Sequence, residues 1–459
     1  MDEFDAIVVG AGQAGVPLAR DLATAGWKTA LVERTHIGGT CYNEGCTPTK
    51  TMAASARVAY LAGRAWDYGI VAGPAHTDLA EVRRRKDRLV DDWRSSAQRR
   101  LEATQGLELI WGHARFLGPH ELAVQLQDGS ERRIRASSVF LNTGGRPGVP
   151  ALSGLESVPF LDSTTIMDLD AVPEGLLILG GGYVAVEFAQ MFRRFGSRVT
   201  IIQRSDVLLS REDKDVAEAV AAILREDGID VLLDTNAVSA RSVVGGGLVL
   251  EVASGQTRHT ISGSHLLVAA GRVPNTEALD LGMAGIVVDA HGFIKANDRL
   301  ESDVPGVYAL GDVKGGPAFT HVSYDDYRSI RTNLLRGGNA STAGRLVPYT
   351  IFMDPQLGRA GLSEEQAQID GRDVQVFKLT MDQVARALEV DESRGFIKVV
   401  AETGSGRILG CAVLGIEGGE LMAMLEIAIM GGVTVSTLRD AIFAHPTLAE
   451  ALNNLFSAT

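Results

Sequence analysis

Two stretches of this 459-residue chain follow one plan: a short apolar run, a glycine-rich turn, an amphipathic segment, and a second apolar run. The first copy reads Asp5–Val9, then Gly10-Ala11-Gly12-Gln13-Ala14-Gly15, a helical pattern to about Ala25, and Lys28–Val32 closed by Glu33. The second reads Leu176–Leu179, then Gly180-Gly181-Gly182-Tyr183-Val184-Ala185, a helical pattern through Phe195, and Arg198–Ile202. A glycine turn between a strand and a helix lets the backbone bend tightly and approach a pyrophosphate, which the helix N-terminus then holds. The chain is therefore expected to be an α/β protein with two Rossmann-like dinucleotide-binding domains.

The copies differ where nucleotide choice is made. Glu33 follows Gly10 at the distance from which a carboxylate accepts hydrogen bonds from an adenosine ribose. At the matching place in the second copy stands Gln203, followed by Arg204 and then Arg211. A carboxylate repels a 2′-phosphate whereas a guanidinium pairs with it, so the second site is expected to prefer NADPH to NADH. The alternative is that both arginines are solvated surface residues. Two nucleotide sites in one chain suggest a fixed carrier and an exchanging one, flavin plus nicotinamide.

Charge and hydropathy remove other classes. Asp+Glu 57 against Lys+Arg 44 gives a net charge of −13, the wrong sign for a nucleic-acid partner. The most apolar stretch, Leu421–Val435, is broken by Glu426 and two glycines and falls short of the roughly 20 apolar residues of a membrane span. The acidic start Met1–Asp5 lacks the basic region and cleavage site of a signal peptide, so the expectation is cytoplasmic.

Only three cysteines occur, too few for a secreted disulfide framework, yet two lie in Gly38-Gly39-Thr40-Cys41-Tyr42-Asn43-Glu44-Gly45-Cys46-Thr47-Pro48-Thr49-Lys50. In a reducing cytosol, such a pair beside a nucleotide motif suits redox chemistry. Along an ideal helix five residues rise about 7.5 Å, beyond the roughly 7 Å Cα limit of a disulfide. Bridging the pair needs distorted backbone, which Gly45 and Pro48 can help supply. A disulfide so constrained suits reversible reduction; two free thiols are the other reading. No second Cys/His pair stands at ligand spacing, so no metal site is expected.

With that motif in view, the whole chain resembles the class I pyridine nucleotide-disulfide oxidoreductases, which include glutathione reductase, dihydrolipoamide dehydrogenase and mercuric reductase. The resemblance extends to Thr143-Gly144-Gly145-Arg146-Pro147, Ala270-Gly271-Arg272-Val273-Pro274-Asn275, Gly311-Asp312 with Phe319-Thr320-His321-Val322, and His445-Pro446-Thr447-Leu448-Ala449-Glu450. It implies FAD on the first fingerprint, with Glu33 on its ribose, Asp312 on its ribitol and backbone contacts from Gly39, Thr40, Ala114, Thr143, Gly144, Gly311 and Thr320. NAD(P)H would lie across Gly180, Gly182 and Ala185, near Gly271 and Arg272. Tyr183 would gate the nicotinamide pocket, and Lys50 with Glu187 would form the ion pair beside the two rings. Cys46 would be the charge-transfer thiolate, and Cys41 the interchange thiol that attacks substrate.

Glu450, five residues after His445, can orient the imidazole and hold its tautomer, making an acid/base for a leaving thiol. Pro446 fits the first turn of a helix there. The family resemblance places this histidine at the cysteine pair of the other subunit, implying a homodimer whose active sites are completed across the interface. Cys411, in the apolar run Ile408–Val413, is expected in a buried strand. The run Arg83-Arg84-Arg85-Lys86, followed by Asp87, Asp91 and Asp92, is expected on a solvated helix face.

The resulting organisation is an FAD domain over 1–146, an NAD(P) domain over 147–272, a central return segment over 273–338, and an α+β dimerisation domain over 339–459. Residues Gly337–Ser341 mark the last linker, and the apolar helix around Leu421–Met430 needs a cover. Substrate is less legible. A C-terminal cysteine pair of the mercuric type is missing from the tail that ends Ser457-Ala458-Thr459. Gln203 and Phe443 stand where dihydrolipoamide dehydrogenases usually keep an acid and a second histidine. Stretches such as Ser210–Asp215 and Thr320–Arg328 resemble a mercuric-reductase-like bacterial branch that includes the flavoprotein for resistance to reactive chlorine species. The leading expectation is an NADPH-dependent FAD disulfide reductase for a small disulfide or oxidised sulfur compound. Delivery to Cu(II), Hg(II) or a reactive oxidant is the second reading, and a flavin-binding redox sensor or interaction protein the third.

Overall fold

The computed structural model describes residues 1–457 and divides into two compact units. The first combines Met1–Thr51, Glu81–Gly148 and Gly271–Arg345. Its central strand, Asp2–Val9, pairs in parallel with Thr29–Glu33 on one side and Glu131–Leu141 on the other. Leu107–Gly118, Glu121–Leu126 and Val307–Ala309 complete a six-stranded sheet. Ile7, Val8 and Leu31 have no exposed surface, because helix α1 (Gly15–Thr24) buries Leu18 and Leu22 on one face while Ile110, Val139 and Val307 fill the other. That two-sided cover is why these strands read as continuous apolar runs rather than alternating ones. Helices α2 (Gly39–Asn43), α3 (Cys46–Gly63) and α4 (Leu79–Glu102) follow.

The basic run on α4 departs from expectation at Lys86. Lys86 is buried and its ammonium pairs with Asp87 at 2.8 Å, while Arg85 Nη1 donates to the Thr51 carbonyl at 2.8 Å. Arg84, Arg85, Asp91 and Asp92 are exposed, so the rest of this face is solvated as expected.

The second unit contains Met52–Ala80, Val149–Ala270 and the chain from Leu346 onward. Its parallel sheet takes the order His265–Val268, Gly175–Leu179, Arg198–Ile202 and Asp230–Leu232, with helix α5 (Tyr183–Phe195) leading out of the second glycine turn. A three-stranded meander over Asn236–Gly263 follows. The C-terminal part builds a five-stranded antiparallel sheet of Tyr349–Ile351, Gln356–Gly361, Ile408–Gly415, Phe396–Glu402 and Val374–Thr380. The helix Gly418–Met430 packs Leu421, Met422, Leu425 and Ala428 into its core, leaving Ile427 and Met430 exposed. Cys411 lies buried in the strand Ile408–Gly415, as expected, and burial pushes its thiol up to about 12. No helix among the described residues is long and apolar enough to cross a membrane.

Candidate active site

In the first unit, the turn after Asp2–Val9 is gripped from two directions. Gly10 takes φ +99°, and a Cβ there would sit 2.4 Å from the Asn142 carbonyl oxygen, so only glycine fits. The buried Asn142 side chain bridges distant segments: Oδ1 accepts from Gly15 N at 2.9 Å and Nδ2 donates to the Leu310 carbonyl at 2.9 Å. From the other direction, Glu33 Oε2 accepts from Ala11 N at 2.8 Å and Oε1 from Thr35 N at 2.8 Å. Among the described residues Glu33 Oε2 accepts this one bond, so a lone pair remains for a ribose hydroxyl. Ala114 is a buried strand residue paired with Val124.

The cysteine segment is built onto this turn. Gly38 N donates to the Ala11 carbonyl at 2.8 Å, and a Cβ on Gly39 would lie 2.8 Å from Gly12 Cα. That close approach sets α2, with Thr40 and Cys41 on it, directly against the fingerprint. The helix then stops at Glu44 and Gly45, and α3 begins at Cys46. The break that the cysteine spacing demands thus lies at Glu44–Gly45. Pro48 contributes nothing to it, because it sits in the first turn of α3, where its missing N–H costs no helical bond.

Cys41 is half buried, Cys46 is exposed, and the two are unbridged thiols. Cys46 Sγ lies 3.1 Å from Thr320 Oγ1. A hydrogen bond from the Cys41 thiol lowers Cys46 to about 6 against opposing burial, with help from the Thr320 hydroxyl and the charge of Lys50. Lys50 stands four residues on along α3, on the same helix face, and the positive end of α3 favours a thiolate at its first residue. Cys41 is pushed up because that hydrogen bond retains its proton, with burial and the neighbouring sulfur charge adding to the effect. The same contacts thus favour the charged form on Cys46 and the protonated form on Cys41.

Thr143 Oγ1 donates to the Asn275 carbonyl at 3.0 Å, and Asn275 N donates to the Gly144 carbonyl at 3.0 Å. Gly145–Pro147 and Arg272–Pro274 pair antiparallel, with Arg272 Nη2 on the Gly145 carbonyl at 2.5 Å. Gly271 precedes them at φ +120°. Gly311 N donates at 2.8 Å to Asp326, a fully buried carboxylate also held by Arg345 at 2.7 Å. Asp312 is half buried, desolvation raises it, and it has no hydrogen-bond donor among the described residues. A carboxyl in that state fits the hydroxyl donors of a ribitol chain, so the residues present suit FAD.

Sequence reading missed Asn142 and Asp326. Asn142 immediately precedes Thr143-Gly144-Gly145 and Asp326 lies within Thr320–Arg328, but the partners that give each its role stand outside those motifs.

In the second unit, Gly180 repeats the Gly10 geometry: φ is +111° and a Cβ would sit 2.4 Å from the Ala269 carbonyl oxygen. Gly182 caps α5, Ala185 is buried, and Tyr183 is exposed at 37%. Glu187 is buried, with Oε1 accepting from Phe352 N at 2.8 Å. Gln203 turns its amide into its own loop, bonding Ser205 Oγ and, at 3.2 Å, the Val207 carbonyl. Arg204 and Arg211 are exposed. In the same unit His445 Nδ1 meets Glu450 at 2.8 and 3.2 Å, and the imidazole is 69% exposed. The expected helix start at Pro446 is not observed. The His445–Pro446 bond is cis in an irregular segment, and the helix opens only at Ala451. Thr447 closes this turn instead, its hydroxyl donating to the Ala444 carbonyl at 2.7 Å.

Among known families, the model for pyridine nucleotide-disulphide oxidoreductases matches residues 4–326, and that for the dimerisation domain of the same family matches 347–456. The probable pyridine nucleotide-disulfide oxidoreductase RclA of Escherichia coli is 37% identical, covering 100% of this chain and 99% of that protein. A mercuric reductase of Acidithiobacillus ferrooxidans is 36% identical over 98% of this chain and 81% of its own. The solved E. coli HOCl-induced flavoprotein disulfide reductase RclA superposes with a TM-score of 0.89 at 37% identity, covering 99% of this chain and 100% of that one. Its Cu(II) complex gives 0.91 at 36%, covering 100% of this chain and 99% of that one.

Proposed function

The chain belongs to the pyridine nucleotide-disulphide oxidoreductase family, and from that premise we propose that it draws electrons from NADPH through FAD to Cys41–Cys46 and passes them to a small disulfide or oxidised sulfur compound. The observation that carries this reading is the placing of Cys41 and Cys46 at the break between α2 and α3, packed against the first glycine turn, with Cys46 Sγ 3.1 Å from Thr320 Oγ1. Bound FAD supplies the two-electron relay between nicotinamide and sulfur.

The chain's own residues do the rest. Once its proton is taken by a base, Cys41 attacks a substrate sulfur; the Cys41–substrate bond forms as the substrate S–S bond breaks. The leaving thiolate takes a proton from His445, which Glu450 orients. Cys46 then attacks the Cys41 sulfur, closing the Cys41–Cys46 disulfide and releasing the second thiol. An electron pair from NADPH reopens it, so each disulfide reduced consumes one NADPH and one proton.

Residues 1–146 and 273–338 serve FAD in this reading, 147–272 serve NADPH, and 339–459 pair two copies. A dimerisation domain indicates a homodimer. The exposed His445 suits service to the partner's cysteine pair, and the bare Ile427 and Met430 suit burial against a second copy. Lys50 serves the flavin side of the transfer and Glu187 the nicotinamide side, Tyr183 gates the nicotinamide, and Arg204 with Arg211 receives the 2′-phosphate. A second reading, reduction of a metal ion such as Cu(II) or of an oxidant by the same path, is favoured by the Cu(II) complex and HOCl induction of the E. coli relative.

Initial rates of NADPH oxidation by the flavin-loaded protein against small disulfides, oxidised sulfur and halogen species, Cu(II) and Hg(II) test both. Saturable turnover with a disulfide or oxidised sulfur compound, lost in Cys41→Ser, is the expected result. Turnover with metal or oxidant alone would move the assignment to the second reading. Silence on every acceptor, with the flavin still reducible, would contradict both.

A further inference from the structure

Tyr183, Glu187, Gln190 and Arg194 stand at spacings of four, three and four and so share one face of α5. The segment Phe352–Asp354, which joins the strands Tyr349–Ile351 and Gln356–Gly361, meets three of them in order. Phe352 N donates to Glu187 Oε1 at 2.8 Å. Gln190 brackets Asp354 from both sides: its Oε1 accepts from Asp354 N at 2.7 Å and its Nε2 donates to the Asp354 carbonyl at 2.6 Å. Arg194 Nη1 donates to Asp354 Oδ2 at 2.5 Å, and Arg57 Nη1 reaches the same oxygen at 2.6 Å.

Gln190 and Arg194 thus read main chain and side chain of one residue, which fixes how far the segment lies along the helix. That register decides where the Phe352 N–H points. A glutamate side chain has three rotatable bonds, and a main-chain donor two residues from a doubly anchored position holds its carboxyl in one orientation.

We infer that Phe352–Asp354 is a strap that orients the Glu187 carboxyl, with Gln190 and Asp354 as its positioning residues. The inference rests on the reading of Glu187 as the group beside the nicotinamide ring. The strap belongs to the stretch matched by the dimerisation domain, so that domain takes part in hydride transfer as well as in pairing two copies.

Anaerobic stopped-flow reduction of the FAD-loaded homodimer by NADPH tests this. Gln190→Ala and Asp354→Asn are each expected to slow flavin reduction by about 10- to 100-fold. NADPH affinity should change much less, and reoxidation of dithionite-reduced protein by a disulfide should not change. Glu187→Gln should slow the same step, and Gln190→Ala added to Glu187→Gln should cost nothing further, because both act through one carboxyl. Fast reduction in both strap variants beside slow reduction in Glu187→Gln overturns the strap alone. So does full additivity in the double variant. Wild-type reduction in Glu187→Gln overturns the assigned role of Glu187 and the strap with it. Should Gln190→Ala fail to retain flavin, Asp354→Asn decides, since it keeps the side-chain shape and the main-chain bonds to Gln190.

Discussion

The two glycine turns begin alike and are finished differently. Both open on a positive-φ glycine whose missing Cβ admits a carbonyl at 2.4 Å, and both lead into a helix on a parallel sheet. Around the first turn, Glu33 and the buried Asn142 satisfy loop N–H groups from inside, and α2 lies against Gly12. Around the second, the Gln203 side chain bonds into its own loop, and Tyr183, Arg204 and Arg211 are exposed. A turn clamped by distant segments suits a carrier that stays, whereas an open one suits a nucleotide that binds and leaves on every cycle. On the proposed reading the same βαβ unit serves both roles, and the difference lies in the residues that brace it.

That contrast can be broken most sharply at its glycines. Gly10→Ala should give protein without flavin, whereas Gly180→Ala should keep flavin and lose reduction by NADPH; flavin absorbance after gel filtration and an anaerobic NADPH addition read both. Loss of flavin from Gly180→Ala would end the distinction. Next in size, Asn142→Ala leaves Gly15 N without its acceptor at a cost of about 2 kcal/mol, roughly 30-fold in flavin dissociation constant. No weakening would mean that the clamp does not serve the carrier. On the open turn, Arg204→Ala and Arg211→Ala should each lower kcat/KM for NADPH about tenfold and leave NADH unchanged. Equal losses with both nucleotides would assign the arginines to the surface.

The smallest effect concerns the sulfur that the first turn brings into place. Cys46 is held down to about 6, so the NADPH-reduced protein should carry its thiolate above that pH and lose it as pH falls through it. The long-wavelength flavin absorbance should follow the same curve. Thr320→Val removes one of the causes and should move the midpoint upward by roughly one unit or less. An unmoved midpoint would leave Cys41 and Lys50 as the working partners.

Local pattern carried the sequence reading furthest. Asp5–Val9, Tyr183–Phe195, Arg198–Ile202 and the strand of Cys411 all lie where apolar runs and turn residues put them, because each is decided by neighbours in sequence. The misreadings have two physical sources, contacts made across long separations and, at Pro446, a local turn that side chains hold against the helix rule. Asn142 reaches back to Gly15 and forward to Leu310, and no spacing announces either bond. Lys86 looks solvated until the protein surface beside α4 is in place. Pro446 satisfies the rule for a helix start, yet Thr447 and the His445–Glu450 bond hold that stretch in a turn instead. The motifs named the candidate site residues, whereas the bracing by Asn142, Asp326 and Phe352–Asp354 left no signal in them, since main-chain donors and acceptors leave no mark on sequence.

The central claim, that electrons from NADPH come to rest on Cys41 and Cys46, is tested most directly by anaerobic reductive titration of the FAD-loaded protein beside its Cys41→Ser variant. The wild type should take up one electron pair more per protomer than the variant and gain two titratable thiols. Equal electron uptake by the two proteins would contradict the account.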